Sequence, residues 1–185
     1  MRLFIMKTIL GLDISSSTIG WAILEYNNDK VDLKEYGNIK PPKSNKGSLT
    51  FRASAAYDEV YDFLIKKNPD AIAIEAYANK FPAGRSTART IIVLSVFNEL
   101  VSMACLKSLG QEPSRYAVVT VRSMLSKHAG YRISSKEDCF EFIKKDFISF
   151  SSRTNRNGKI AKECFDEADA IAVALTYILK EKDNG

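Results

Sequence analysis

The stretch that most constrains this chain is KTILGLDISSSTIGWAI, residues 7–23. Ile9-Leu10-Gly11-Leu12 is apolar and ends on Asp13; three serines, Ser15 to Ser17, follow; a second apolar run opens at Ile19. That order reads as strand, tight turn, strand. A carboxylate placed where the first strand stops projects from the end of a sheet. Most strand-end aspartates only cap turns, so Asp13 gains meaning only if other acids reach the same edge.

The rest of the chain supplies them. Residues 7–13, 18–26 and 31–39 are expected to form an antiparallel meander, the third strand (VDLKEYGNI) alternating as an edge does. A polar loop with two prolines follows at 40–48. A helix is expected over 49–67, where Ala53, Ala56, Val60, Phe63 and Leu64 recur at three and four. DAIAIEAY, 70–77, is short and continuously apolar, as at the centre of a parallel sheet. A right-handed crossover puts it parallel to the first strand, with Glu75 at its carboxyl end. A long helix over 87–109 is apolar on nearly all sides, as if covered on both flanks by its own domain or by a second subunit. YAVVTV, 116–121, reads as a fifth strand, 122–131 as a short helix and turn, and 134–147 as a helix capped by Ser134 or Ser135. The last helix begins at Ile160 or Glu163 and runs to about residue 182, before a polar tail. One α/β domain over 1–185 is expected, with residues 1–5 a disordered lead and 182–185 a tail.

In DEADAIAVAL, Asp166 and Asp169 are three apart and share a helical face that continues apolar through Ala170, Val173 and Ala174. Ligands of open α/β sheets bind beyond the carboxyl ends of strands, where Asp13 and Glu75 should also meet. Four converging acids repel and hold protons more tightly; a divalent cation removes that penalty. An all-carboxylate set without His or Cys suits Mg²⁺, with Mn²⁺ as a substitute. Two such ions ~4 Å apart can activate water and stabilise the leaving oxygen of a phosphodiester.

Charge points the same way. The net charge is +5 and the pI about 9.0, and the cations are clustered. Lys80, Arg85 and Arg89 lie in one acid-free stretch, and Arg115, Arg122, Lys127, Arg132 and Lys136 in another. A basic surface around an acidic centre suits a phosphodiester-handling protein. Cys105, Cys139 and Cys164 form no CxxC pair, which argues against zinc and a disulfide framework and for a reducing compartment. The only histidine, His128, has no nucleophile signature around it. No apolar run approaches the ~20 residues of a membrane span. The opening is too short for a signal peptide.

GLDISSSTIGWAI, AIEAY and DEADAIAVAL, in this order and spacing, resemble the three motifs of RuvC-type Holliday junction resolvases in the ribonuclease H-like superfamily. The resemblance implies a mixed five-stranded sheet flanked by helices, three strands antiparallel and then two parallel. It implies a Mg²⁺-dependent endodeoxyribonuclease, with Asp13, Glu75, Asp166 and Asp169 as metal ligands. It also implies a homodimer that nicks opposed strands of a four-way junction symmetrically, the helix from Thr87 dimerising it. Lys136 resembles the lysine many relatives carry near the active site for phosphate contact, and Arg122 a second cation of that surface. Relatives place an aromatic wedge just after the motif-two glutamate. Here Ala78 stands close to that place, flanked by Tyr77 and Phe81, and Phe81 in its basic loop is the favoured candidate. The DNA surface implied is Tyr77, Lys80, Phe81, Arg85, Arg89, Arg122, Lys127, Arg132 and Lys136. No small-molecule cofactor and no membrane partner is expected. The setting is cytoplasmic, in a bacterial or viral replicon context.

Three other readings stand beside this one: a nuclease on flaps, forks or structured RNA; a non-catalytic nucleic-acid-binding module; and a sugar-kinase or actin-like ATPase. The last needs a second glycine-rich phosphate loop, which 185 residues leave no room for.

Overall fold

In the computed structural model, residues 6–27, 30–76 and 88–184 are described. Strands β1 (Lys7–Ile14), β2 (Ile19–Tyr26) and β3 (Val31–Ile39) form the expected meander. Helix α1 (Leu49–Lys67) leads to β4 (Ala71–Glu75), parallel to β1, and α2 (Ala88–Leu109) leads to β5 (Ser114–Tyr116), parallel to β4. Helices α3 (Val118–Ala129), α4 (Lys136–Asp146) and α5 (Lys162–Asn184) complete the order. The sheet order is β3-β2-β1-β4-β5.

Alternation along the strands sorts the core into two layers. Leu10, Leu12, Ile14, Ile72 and Ile74 face α1 and α2; Ile9, Ala22, Leu24 and Ala73 face α5, α4 and α3. Leu10, Leu12, Ile72 and Ile74 are essentially fully buried, each worth ~1.5–3 kcal/mol. Asp70 fixes the start of β4 to β1, its Oδ2 accepting from the Thr8 backbone at 2.6 Å and from Thr8 Oγ1 at 2.8 Å.

One expectation needs correction. YAVVTV is not a strand: β5 ends at Tyr116 and α3 begins at Val118. Its β-branched residues fit a helix because Val121 and Leu125, one turn apart, are the only residues α3 buries among those described. Within the single chain helix α2 is covered on one side: Phe97, Val101, Ala104 and Cys105 face inward, while Ile92, Met103 and Leu106 are exposed. By length and composition alone the 22-residue α2 could also cross a membrane, against the expectation that no apolar run approaches a span. Its buried face is packed on α1 and the sheet.

Candidate active site

Asp13 and Glu75 are brought together by register. Leu12 lies beside Ile74 in the parallel β1–β4 ladder, so Asp13 and Glu75 occupy the next step on strands ~4.8 Å apart and face the same side. That side carries α5. Asp13 is opposite Gly20 in the β1–β2 ladder, and α5 crosses both strands at glycines. A Cβ on Gly20 would lie 2.2 Å from the Asp166 carbonyl oxygen, and one on Gly11 would lie 2.0 Å from that of Ala170. The helix backbone therefore rests directly on the sheet, and Asp166 and Asp169 are delivered to Asp13.

Asp13, Glu75 and Asp169 line one cavity of about 160 Å³ with Val118, Val121, Arg122, Lys136 and Cys139. Asp166 does not line it but shares its cation: Lys136 Nζ is 2.8 Å from Asp169 Oδ2 and 3.2 Å from Asp166 Oδ1. Lys136 is placed by the cap of α4. Ser135 Oγ accepts from the Asp138 backbone N–H at 2.9 Å, and Asp138 Oδ2 accepts from the backbone N–H groups of Ser134 and Ser135 at 2.9 Å each. Arg122 ties α3 to the same cap, Nη1 donating to Ser134 O at 2.9 Å.

The charges report the crowding. Burial, then the charges of Glu75, Asp169 and Asp166, push the Asp13 carboxyl well above the ordinary carboxylate range against the pull of Lys136. Burial and Asp169 push Glu75 up to about 7, with Lys136 and Arg122 opposing. Burial also raises Asp169, although Lys136 pulls it down. Burial works against the Lys136 ammonium, but Asp169, Asp13 and Asp166 more than offset it and raise its proton affinity. Burial pushes the Cys139 thiol up to about 12, so it stands in the cavity wall as a neutral side chain.

Among the described residues no three acidic, thiol or imidazole side chains are set to hold an ion as they stand. Lys136 bridges Asp166 and Asp169, standing where it offsets part of their charge. The donors remain hard carboxylate oxygens, buried, mutually repelling and under-compensated, so the set fits Mg²⁺ or Mn²⁺.

The other cations separate. Lys127 is paired with Asp183 at 2.8 Å on the surface. Arg132 is exposed. Arg89 lies away from the acids, on a larger cleft. Tyr77, Lys80, Phe81 and Arg85 lie outside the described residues.

No family model matches the chain. Curated relatives do, end to end. The crossover junction endodeoxyribonuclease RuvC of Finegoldia magna is 27% identical over 175 residues, 94% of each chain. That of Prochlorococcus marinus is 28% identical over 176 residues, 95% of this chain and 99% of its own. This chain is thus similar, nearly end to end, to RuvC crossover junction endodeoxyribonucleases. Its fold agrees: Thermus thermophilus RuvC, solved in complex with a Holliday junction substrate, superposes with a TM-score of 0.74 at 18% identity, covering 96% of both chains. The yeast mitochondrial Holliday junction resolvase superposes with a TM-score of 0.63 at 16% identity, over 95% of this chain and 81% of its own. The mixed five-stranded sheet of this chain, flanked by helices, has the ribonuclease H-like arrangement.

Residue patterns alone miss part of the site. Gly11 and Gly20 do as much as the acids to assemble it, and their signal is a glycine inside each of two otherwise apolar strands. Glu167 is also missed. It is 1% exposed, it accepts from Asn38 and from Arg153, and its Oε2 has no partner. This network ties the loop before α5 to β3.

Proposed function

We propose that this chain is a metal-dependent endonuclease that resolves four-way DNA junctions by paired, symmetric nicks. The observation that carries the reading is the single cavity lined by Asp13, Glu75 and Asp169, with Asp166 joined through Lys136. It is supported by end-to-end similarity to crossover junction endodeoxyribonucleases.

Asp13, Glu75, Asp166 and Asp169 would hold Mg²⁺, or Mn²⁺ in its place. Bound divalent ions supply water activation and charge stabilisation at the leaving oxygen of the phosphodiester. The carboxylates set where the scissile phosphate must lie, at the carboxyl ends of β1 and β4. Lys136, freed from the acids it bridges, donates to a phosphate oxygen, and Arg122 on the same wall offsets the remaining anionic charge. Val118 and Val121 close one side of the cavity with apolar surface. No histidine base is needed.

Paired cutting needs two sites held in symmetry. The exposed Ile92, Met103 and Leu106 (58%, 48% and 43%) follow a three-and-four spacing along α2 with Val96 and Glu99 between them. This largely apolar stripe, interrupted by Glu99 with its partner Arg115, is the proposed contact with a second copy. The free, buried cysteines fit a reducing, intracellular setting.

The test is a synthetic four-way junction incubated with Mg²⁺, beside flap, duplex and RNA controls. Nicks paired on opposed strands are expected. Asp13→Asn or Asp169→Asn should abolish cutting, a loss beyond the ~100-fold typical of supporting residues, while binding persists. Flap cleavage without junction cleavage would overturn the substrate, and binding without metal-dependent cutting would overturn the enzyme.

A further inference from the structure

A second site lies at the same end of the sheet, on the opposite layer from the acids. It is a cleft of about 770 Å³ lined by Ser16 and Ser17 of the β1–β2 turn, Lys43, Ser44 and Asn45 of the following loop, Arg52 of α1, and Arg89 and Thr90 at the start of α2. None of its described lining residues is acidic. Arg52 is its floor. Arg52 is 8% exposed as a residue, and among the described residues no carboxylate pairs with its guanidinium. Its Nε donates to the Pro42 carbonyl at 2.7 Å, its Nη2 donates to the Ser16 carbonyl, and it stands 5.5 Å over the Phe97 ring.

A buried cation whose partners are dipoles leaves a net positive field in a low-dielectric wall. Lys43 and Arg89 add two exposed cations above it. Thr90 brings the first turn of α2, the positive end of that helix's dipole, to the cleft. The Ser15 side chain is used inside the turn, accepting from the Thr18 backbone N–H at 3.1 Å and donating to Thr18 O at 2.8 Å; Ser16 and Ser17 line the cleft. Cations and hydroxyls at a helix N-terminus, without an acid, are the chemistry of a phosphate. The β1–β2 turn that lines this cleft starts directly after Asp13-Ile14.

We propose that this cleft is a second phosphate-binding site, taking backbone phosphates of the DNA strand beyond the cut and so fixing its path over the Ser15–Ser17 turn. The proposal rests on the nuclease reading for its ligand. Arg52 holds the turn and sets the field; Lys43 and Arg89 make the contacts.

The experiment measures binding of a four-way junction and of one duplex arm, without divalent metal, across a salt series. It compares the wild type with the Lys43→Gln/Arg89→Gln double variant, in which Arg52 and the fold it clamps are kept. Each lost phosphate contact lowers the slope of log affinity against log salt by ~0.9, so the pair should lower it by about two. An unchanged slope and affinity overturn the proposal while leaving the nuclease intact if junction cutting persists. A lowered slope in a protein that cuts nothing keeps the cleft and removes the nuclease. A wild type that binds no DNA removes both. A parallel arm follows the melting temperature with inorganic phosphate and with ATP. If these stabilise the wild type and not the double variant, and the DNA slope is unchanged, the cleft serves a free phosphate and the assignment to DNA falls.

Discussion

Lys136 carries more of the site than its place in the sequence suggests. Its ammonium bridges Asp166 and Asp169, so it acts as the internal counter-charge of a cluster that otherwise repels itself. Lys136→Gln should therefore lower the melting temperature without metal, and Mg²⁺ should raise it more steeply in the variant than in the wild type, because the ion then has no competitor. Equal responses would contradict the counter-charge role. The cap that positions Lys136 is testable by pH. Hydrogen bonds from the Ser134 and Ser135 backbones depress Asp138 to about 2. A depressed carboxylate stabilises the fold above its unfolded pKa, ~3.9, and that contribution is lost as pH falls through the folded value. Between pH ~4 and ~2 the wild-type melting temperature should drop more than that of Asp138→Asn; parallel curves would dismiss the linkage. Ser135→Ala should cost ~1 kcal/mol in chemical denaturation.

At the scale of elements, the site depends on how near α5 comes to β1 and β2. Gly11 and Gly20 have no room for a Cβ, the intruding atom being met by helix backbone at 2.0 and 2.2 Å. Gly20→Ala should destabilise the protein by roughly 1–3 kcal/mol and, at a temperature where it remains folded, reduce junction cleavage by displacing Asp166. Wild-type cleavage in a folded Gly20→Ala protein would show that the approach is not needed. This contact also marks the limit of what the chain reveals as text. Asp13 and Glu75 are legible because each ends an apolar run, and Asp166 and Asp169 because they are three apart at the head of an apolar helical face. A strand glycine, by contrast, reads only as a weakened strand until the element above it is known. YAVVTV reads as a strand because β-branched residues favour one, yet its last valine is needed one helical turn from Leu125 in the layer against α5. Pattern records propensity; tertiary packing decides.

At the scale of the whole molecule, the sheet order and the two crossovers follow from the order of strands and helices in the sequence. The one-sidedness of α2 does not, because an apolar residue reads the same whether its cover is the same chain or another. Ile92→Asp with Met103→Glu should convert a dimer to a monomer in analytical ultracentrifugation, and uncouple the two nicks on a junction. An unchanged mass would remove α2 as the interface. The account as a whole rests on acids from β1, β4 and α5 forming a single centre for a hard cation. A crystal grown or soaked with Mn²⁺ tests this most directly. The account predicts an anomalous peak within coordinating reach of Asp13, Glu75 and Asp169, with Lys136 drawn off the acids. Saturating Mn²⁺ with no peak there, or one held by other residues, would contradict it.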